Sequence, residues 1–405
     1  MPKKKDTTMK RGRLDNGGGV GEGLNLRNGN VVVMEKSSKK PKSLLRKLII
    51  QIHPHRALVS LLCVLTIAGS MIDIGWKGAR KTSKVMHIRK EDALAAASAL
   101  IKRDYSTIKS VSDLSVDGVR QCAGNTQKCK CPSDTTLPSH RIGHRQWSAA
   151  THNNKDFARE AAKKEYPPDV VFYGDGIIEG WRGTALGNHN GRRIGVPEVF
   201  DKLFNRKNGA KYQGLPLGVA GDTTTNLLYR LQNGELPPSL LESHPKVIWV
   251  LIASDDLFTN YCSAEMTLIG ILRIILEIKQ RIEEYGSTNA TSIVIDAILP
   301  RTFNQEGYVM RGGPRTPKRR NGPYVPSLYS HIIAINEQLE RYAKNNDNVY
   351  YFEPNDFWLD HDAPDELLQI NPALMPDYSH PSVEGYELWG KEIIKRLDGI
   401  LLKSP

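Results

Sequence analysis

Four short polar clusters in the second half of the chain carry residue types that could perform acid–base chemistry. The last cluster is Asp377-Tyr378-Ser379-His380, in which an acid precedes a histidine by three residues. A histidine oriented by a carboxylate can act as a general base towards a hydroxyl or a water. The other three clusters are residues 174–176, 218–222 and 253–256. One Gly-Asp turn by itself is common, but four such clusters in this order form a specific pattern.

Each cluster lies where a regular element is predicted to end or begin. Short apolar runs alternate with helical periodicity, which is typical of a parallel sheet covered by helices. The predicted strands are Val170–Tyr173, Leu215–Val219, Val247–Ile252, Ser292–Ile298 and Val349–Phe352. The predicted helices are Thr224–Gln232, Thr267–Tyr285, Leu328–Asn345 and Val383–Leu401. In such sheets the active groups lie on loops beyond the carboxyl ends of the strands.

Three segments carry a resemblance to a known family. They are GVAGDTTTNLLYRLQNG from Gly218 to Gly234, the pair Pro300-Arg301, and the closing DYSHPSVEGYELWG. In these segments the chain resembles the SGNH (GDSL) hydrolases, and among them the catalytic (alpha) subunits of platelet-activating-factor acetylhydrolase. The resemblance covers about Pro168 to Leu401. It implies an α/β fold of the flavodoxin-like type, a three-layer sandwich around a five-stranded parallel sheet.

The resemblance also implies roles for single positions. Asp377 and His380 match the orienting acid and the general base, and Gly221 matches the glycine whose N–H helps to hold the oxyanion. The first block should read Gly-Asp-Ser, but Gly176 follows Asp175 at the position of the serine nucleophile. Where the family supplies an asparagine amide to the oxyanion, this chain has Asp255.

These two departures remove the usual chemistry. Gly176 has no hydroxyl, and losing the serine of such a triad costs about a millionfold in turnover. An ionised Asp255 accepts hydrogen bonds but cannot donate one to an oxyanion. We therefore expect a degenerate member that binds acyl compounds.

Two alternatives stay open. The first is an esterase in which His380 activates a water or an unrecognised nucleophile acts, and the second is a basic-tailed nuclear or interaction protein with this domain as a scaffold. Without the resemblance, Asp377 and His380 would be interpreted as a cap of the last helix.

The front of the chain differs in composition from the rest. The net charge of +12 divides into about +18 before Glu160 and about −6 from there on, which gives little support to a nucleic-acid groove in the second half. We predict a disordered basic tail at 1–56, a transmembrane signal anchor at 57–76, a stalk or adaptor at 77–167 and an SGNH-type esterase domain at 168–405. Lys and Arg flank the apolar run on both sides, so the positive-inside rule does not fix its orientation.

The Asn289-Ala290-Thr291 triplet, a glycosylation acceptor, favours a single-pass type II protein of the secretory pathway (Golgi, ER or cell surface) with a lumenal C-terminal domain. Cys129-Lys130-Cys131 is too tightly spaced for a zinc knuckle, and a disulfide between Cys122 and a neighbouring cysteine is preferred outside the cytosol. No metal and no other cofactor is expected. The expected partners are an acyl- or acetyl-ester small molecule, glycan or lipid, the membrane through 57–76, and a second copy in a homodimer, but no nucleic acid.

Overall fold

Five parallel strands form the central sheet of the computed structural model, and each coincides with an apolar run of the sequence. They are β1 Val170–Gly174, β2 Gly214–Gly218, β3 Val247–Leu251, β4 Ser292–Asp296 and β5 Val349–Phe352. Their order across the sheet is β2-β1-β3-β4-β5, and all neighbours pair in parallel. This is the flavodoxin-like order, with its switch point between β1 and β3. The predicted α/β fold with a five-stranded parallel sheet is confirmed.

The structure describes residues 95–124, 128–285, 291–309, 313–314, 324–325, 327–360 and 368–402. Its helices are α1 Arg145–Ala161, α2 Gly176–Gly180, α3 Val196–Phe204, α4 Thr224–Arg230, α5 Pro238–Glu242, α6 Ser254–Phe258, α7 Ala264–Tyr285, α8 Tyr329–Lys344, α9 Asn355–Trp358 and α10 Val383–Leu401. Two-residue strands form three small hairpins or bridges: Thr184–Ala185 with Asn188–His189, Gly313–Pro314 with Tyr324–Val325, and Leu359–Asp360 with Gln369–Ile370.

The sheet is buried on both of its faces. Every residue of β1 and β3 is buried, as expected for parallel strands that are covered by helices on both sides. The helices pack in two groups: α3 against α10, and α4, α5 and α8 against α7. The sheet edge with the carboxyl ends of β1, β2 and β3 therefore stays free to carry the loops that hold the polar clusters.

Helices α1 and α3 are the longest of the helices that lie outside the four predicted above. The sequence predicts only a short helix at 156–165 in the stalk or adaptor segment, whereas α1 begins at Arg145, because Trp147 and Ala150 are buried and extend its packed face. Helix α3 was not predicted from the sequence. It buries five apolar side chains, and it follows Gly195, whose φ of +90° suits glycine and lets the chain turn into the helix.

Residues 95–161 belong to the segment that the sequence indicates as a stalk or adaptor, and they pack onto the sheet domain. Ala97, Ile101 and Leu114 join the main hydrophobic core. The Tyr105 hydroxyl donates a hydrogen bond to Glu265 Oε1 at 2.8 Å. All described residues lie in one contact unit, Ser83–Pro405. The apolar side chains of this segment would be exposed on a free stalk, so burial favours its attachment to the domain.

Two disulfides fasten this segment. Cys122 pairs with Cys129, as predicted for Cys122 and a neighbouring cysteine, and Cys131 pairs with Cys262. The second bond joins residues 131 positions apart, a pairing that the sequence left open. Both cysteines of the Cys129-Lys130-Cys131 triplet are thus used in disulfides.

Several predictions fall on residues that the structure does not describe. The basic tail at 1–56, the membrane-spanning segment at 57–76 and the asparagine at 289 all lie outside the described residues. Within the described ranges, no helix combines the length and the apolar character needed to cross a bilayer.

Candidate functional site

The first two polar clusters meet at the carboxyl ends of β1 and β2. Gly176 is the first residue of α2, and Asp175 caps that helix by accepting a hydrogen bond from the Ile177 N–H at 2.9 Å. A Cβ atom added to Gly176 would lie 3.2 Å from Ala220 Cα and 3.3 Å from Ala220 Cβ. The position predicted for the lost nucleophile therefore faces the loop of the predicted oxyanion glycine, Gly221.

A buried carboxylate, which the sequence analysis did not single out, holds these two loops together. Glu179 Oε2 accepts hydrogen bonds from the N–H groups of Ala220 at 2.7 Å and Leu186 at 2.9 Å. Its Oε1 accepts from the Gly187 N–H at 2.7 Å and from the Thr184 hydroxyl at 2.9 Å. Because four donors occupy the two oxygens, Glu179 fixes the geometry of the site and has no free acceptor position for a ligand.

Asp255 lies in the third cluster, at the start of α6. Its Oδ1 is 3.3 Å from Arg301 Nη1 and accepts a hydrogen bond from the Thr259 hydroxyl at 2.6 Å. Ala253, the residue before α6, has a φ of +96°, a strained conformation for a residue with a side chain. The carboxylate is thus held by a cation and a hydroxyl, and it offers acceptors, not donors, to a neighbouring group.

Asp377 and His380, which the resemblance implies to be the orienting acid and the general base, are in contact. His380 Nδ1 lies 2.9 Å from Asp377 Oδ2, and Asp377 Oδ1 accepts hydrogen bonds from the backbone N–H groups of Ser379 and His380. These contacts lower the pKa of Asp377 to about 2 in spite of partial burial. Both side chains are partly exposed. The Asp377 contact orients the ring and leaves Nε2 for a second partner, and the structure describes no contact between that ring and Gly176.

No hydroxyl in the described part of the chain bonds to His380, and hydroxyls on the neighbouring loops have other partners. The Thr224 hydroxyl donates to Asp256 Oδ1 at 2.7 Å. The Ser254 hydroxyl accepts from Arg301 Nη1 at 3.1 Å. Neither is positioned by its described contacts to replace the missing serine.

Two arginines that the sequence analysis did not single out line the same loops. Arg193 Nη2 would lie 3.6 Å from a Cβ atom on Gly176, and Arg193 Nη1 donates to the Thr184 carbonyl at 2.8 Å. Arg141 Nη1 donates to the Ala220 carbonyl at 2.9 Å and would lie 3.3 Å from a Cβ on Gly221. Gly221 has a φ of +76°, a backbone conformation that favours glycine. The loops that carry Gly176 and Gly221 are therefore flanked by two cations.

A buried ionic network underlies this floor. Arg230 Nε donates to Asp222 Oδ2 at 2.6 Å, and Arg230 Nη1 donates to Glu235. Arg230 Nη2 donates to the Gly174 carbonyl at 2.7 Å, at the end of β1. Asp222 also accepts from the Trp147 indole N–H. Burial raises the pKa of Glu235 to about 7, although Arg230 acts in the opposite direction.

Exposed apolar side chains adjoin the arginines. Ile142 follows Arg141 and is 87% exposed, and Ile194 follows Arg193 and is 67% exposed. Val383 is also exposed, and its Cγ2 would lie 3.3 Å from a Cβ atom on Gly195. Exposed aliphatic groups on the same segments as these cations suit a ligand with an apolar portion.

Asp175 gives the site a testable pH dependence. Burial and the charge of Asp255 raise the pKa of Asp175 from 3.8 to about 7. The folded state therefore keeps a proton that the unfolded chain releases, and stability falls as the pH rises from about 4 to about 7. In Asp175→Asn this fall should shrink by about 2–4 kcal/mol, because three pKa units set the upper limit. Urea unfolding at pH 4.5 and pH 7.5 measures it.

Asp113→Asn is the matched control for this experiment. Hydrogen bonds from the backbone N–H groups of Ser110 and Lys109 lower the pKa of Asp113, so the stability it contributes is lost only as the pH falls below about 4. Its replacement should leave the difference between pH 4.5 and pH 7.5 unchanged. An equal effect of both variants would contradict the assignment to Asp175.

Comparisons with known proteins agree with this architecture. The model of the GDSL-like Lipase/Acylhydrolase family matches residues 172–388. Platelet-activating factor acetylhydrolase IB subunit alpha1 of Rattus norvegicus is 23% identical over 171 residues, 42% of this chain and 58% of that protein. The alpha2 subunit of Homo sapiens is 28% identical over 138 residues, 34% of this chain and 47% of that protein. The chain thus spans about half the length of these curated relatives.

A solved structure, a carbohydrate esterase family 3 from Talaromyces cellulolyticus, aligns with a TM-score of 0.36 and 12% identity. The alignment covers 58% of this chain and 99% of that one.

Proposed function

Because the chain belongs to the GDSL-like lipase/acylhydrolase family, we propose that it is a degenerate member that binds an acyl or acetyl ester without cleaving it by the covalent route. The observation that carries the proposal is Gly176 at the start of α2, next to Ala220, with Asp377 and His380 still paired. A site with a base but no hydroxyl to deprotonate lacks the nucleophile that acyl transfer needs.

The ligand we propose is an acylated glycan or lipid, or a small acyl ester. The curated relatives are named as subunits of a platelet-activating factor acetylhydrolase. The exposed Ile142, Ile194 and Val383 could cover an acyl chain, while the polar loops hold the ester group.

The second candidate function is ester hydrolysis by a water that His380 activates. It is favoured by the intact contact of 2.9 Å between His380 Nδ1 and Asp377. General-base assistance contributes about 10²- to 10⁴-fold, far below the contribution of a complete serine triad. The two candidates therefore differ in measurable turnover.

The test is to offer the full-length chain p-nitrophenyl acetate and p-nitrophenyl butyrate, together with a fluorophosphonate probe. We expect no probe adduct, because no activated hydroxyl is present. We also expect p-nitrophenol to be released no faster than in a control that contains buffer and denatured protein. Mass spectrometry of the intact chain detects the adduct, and absorbance detects p-nitrophenol. A shortened chain that begins at Asp156 is unsuitable for this test, because it lacks Arg141, Trp147 and the disulfide between Cys131 and Cys262.

His380→Ala is the deciding variant. If the unmodified chain hydrolyses the esters without forming a probe adduct, and if this turnover disappears in His380→Ala, the protein is a water-activated esterase and the binding proposal is wrong. A fluorophosphonate adduct on any side chain of the domain would refute both candidates.

We further propose that the domain lies in the lumen of the secretory pathway, on a type II anchor at 57–76. Two disulfides support an oxidising compartment, since such bonds are rare in the cytosol. In cells, the full-length chain should show an endoglycosidase-sensitive mobility shift that Asn289→Gln abolishes, and it should sediment with membranes. Nuclear fluorescence of the tagged chain would instead favour the basic-tailed scaffold. A homodimer stays a prediction, which the mass of the purified chain in solution tests.

A further inference from the structure

Two loops beside the candidate site carry cations and no acid. They are residues 137–145 and 187–194, which we call the basic rim, and neither contains an aspartate or a glutamate. The arginines and histidines of the rim are Arg141, Arg145, Arg192, Arg193, His140, His144 and His189. Since the chain from Glu160 onwards has a net negative charge, the positive charge of the rim is segregated from the rest of the domain.

The two loops of the basic rim lie next to each other. The first loop leads directly into α1, which begins at Arg145. Leu186, the residue before the second loop, packs against a buried apolar cluster that includes Trp147 and Ala150 of α1. A Cβ atom on Gly187 would lie 3.5 Å from Ala150 Cβ, so the second loop starts in contact with the same helix. The exposed residues of both loops therefore belong to one continuous surface.

Both loops protrude and present aliphatic side chains. A Cβ atom on Gly143 or on Gly191 would meet no heavy atom of the described residues within 4 Å, its neighbours in sequence aside. The exposed large apolar residues on these loops are Leu137, Ile142 and Ile194. Because these side chains stand on protruding loops outside the core, they are free to enter an apolar phase outside the protein.

The cations of the rim are only weakly balanced by the chain itself. Arg145 is exposed, and no carboxylate oxygen of the described residues lies within 4.0 Å of its guanidinium. Arg192 is 84% exposed at its side chain, and its Nη1 lies 3.8 Å from Asp377 Oδ2. Arg141 Nη1 lies 3.7 Å from Asp222 Oδ1. Guanidinium groups bind phosphate well, so this surface is complementary to phosphate groups supplied from outside the chain.

We propose that the basic rim docks on the surface of a phospholipid bilayer. Its arginines bind the headgroup phosphates, while Leu137, Ile142 and Ile194 enter the boundary of the acyl chains. An acidic polymer in water would match the cations but would leave the three aliphatic side chains exposed. The inference goes beyond the proposed function, because a docked rim brings lipids to the site whether or not their esters are cleaved.

Tryptophan quenching tests the inference on the full-length chain, reconstituted into vesicles of phosphatidylcholine and phosphatidylserine with brominated acyl chains. Bromine quenches a tryptophan that enters the bilayer, so Ile142→Trp and Ile194→Trp should each show more quenching than the unmodified chain. Leu402→Trp is the matched control and should add none. Leu402 is 78% exposed and follows α10, about 28 Å along that helix from Val383, which lies beside Gly195 at the end of the rim. The segment at 57–76 is the same in all of these proteins, so it cannot cause a difference between them.

Removal of one rim cation measures the electrostatic part of docking. In the Ile194→Trp chain, Arg145→Gln should lower the ratio of docked to undocked domain about fivefold, the factor that one cation contributes near an anionic bilayer. Lys202→Gln removes the same charge from an exposed ion pair with Glu387, outside the rim, and should leave the quenching unchanged. Added salt should act in the same direction as Arg145→Gln, because it screens exposed charges.

Two results would overturn the inference. The first is equal quenching in Ile142→Trp, Ile194→Trp and Leu402→Trp. The second is retention of the chain on heparin, an acidic glycan, without additional quenching of the rim tryptophans in vesicles, which would assign the rim to an acidic polymer in water. Ester turnover that depends on His380 would overturn the proposed function instead and would leave the inference about the rim untouched.

Discussion

The double variant Gly176→Ser/Asp255→Asn should hydrolyse p-nitrophenyl acetate at least about a thousandfold faster than the unmodified chain. The first change supplies a hydroxyl next to the loop of Gly221, and the serine of a triad is worth about a millionfold in turnover. The second change replaces an acceptor by an amide donor, and one oxyanion donor is worth about 10²- to 10³-fold.

The gain should fall short of a complete triad for a geometric reason. A serine Cβ at 176 would lie 3.2–3.3 Å from Ala220, so the loop must move by a few tenths of an ångström. An asparagine at 255 also gives up the ion pair with Arg301. Both effects disturb the alignment on which the acylation step depends.

Four proteins measure this prediction: the unmodified chain, each single variant and the double variant. Asp255→Asn alone should hydrolyse the ester no faster than the unmodified chain, since it adds no nucleophile. Gly176→Ser alone should gain less than the double variant, because the carboxylate of Asp255 opposes the developing oxyanion. Adding His380→Ala to the double variant should remove the gain. A folded double variant that neither turns over the ester nor reacts with a fluorophosphonate would refute the assignment of Gly176 to the nucleophile position.

Arg230→Met should destabilise the domain by about 3–5 kcal/mol, because removing one member of a buried ionic network leaves the other members uncompensated. Arg230 lies between Asp222 and Glu235, and all three are fully buried. The loss is a large part of the 5–15 kcal/mol by which domains are typically stable. Urea unfolding, followed by circular dichroism, measures it.

The pH dependence of this loss has a definite sign. Burial raises the pKa of Asp222 and of Glu235, and without Arg230 both values should rise further. The folded variant then holds protons that the unfolded chain releases, so its stability falls as the pH rises. The loss relative to the unmodified chain should therefore be smaller at pH 5 than at pH 8.

Arg206→Met is the matched control for Arg230→Met. Arg206 pairs with Asp169 at 2.9 Å, but it is partly exposed and Asp169 keeps a second partner, Lys246. Its replacement should cost about 1 kcal/mol or less. Equal losses in the two variants would show that the buried network under β1 and β2 contributes no more to the free energy of unfolding than a partly exposed ion pair does.

The sequence by itself determined the sheet and the positions of the clusters. Strand β5 has the predicted bounds, and β1 begins at the predicted Val170, because a strand buried on both faces requires a continuous apolar run. The Asp377-His380 pair could also be predicted, since both residues lie in one short turn whose geometry is local. The absence of a hydroxyl at 176 is a property of the sequence alone.

Only the tertiary structure decided which charges surround that position. Arg141 reaches the loop of Gly221 from a segment that the sequence assigns to a stalk, and Cys131 finds Cys262 across 131 residues. Arg193 is buried and donates to the Thr184 carbonyl, whereas the neighbouring Arg192 is 84% exposed at its side chain and lies 3.8 Å from Asp377. Such contacts depend on how distant segments pack against each other, and this packing cannot be predicted from the type and the spacing of the residues alone.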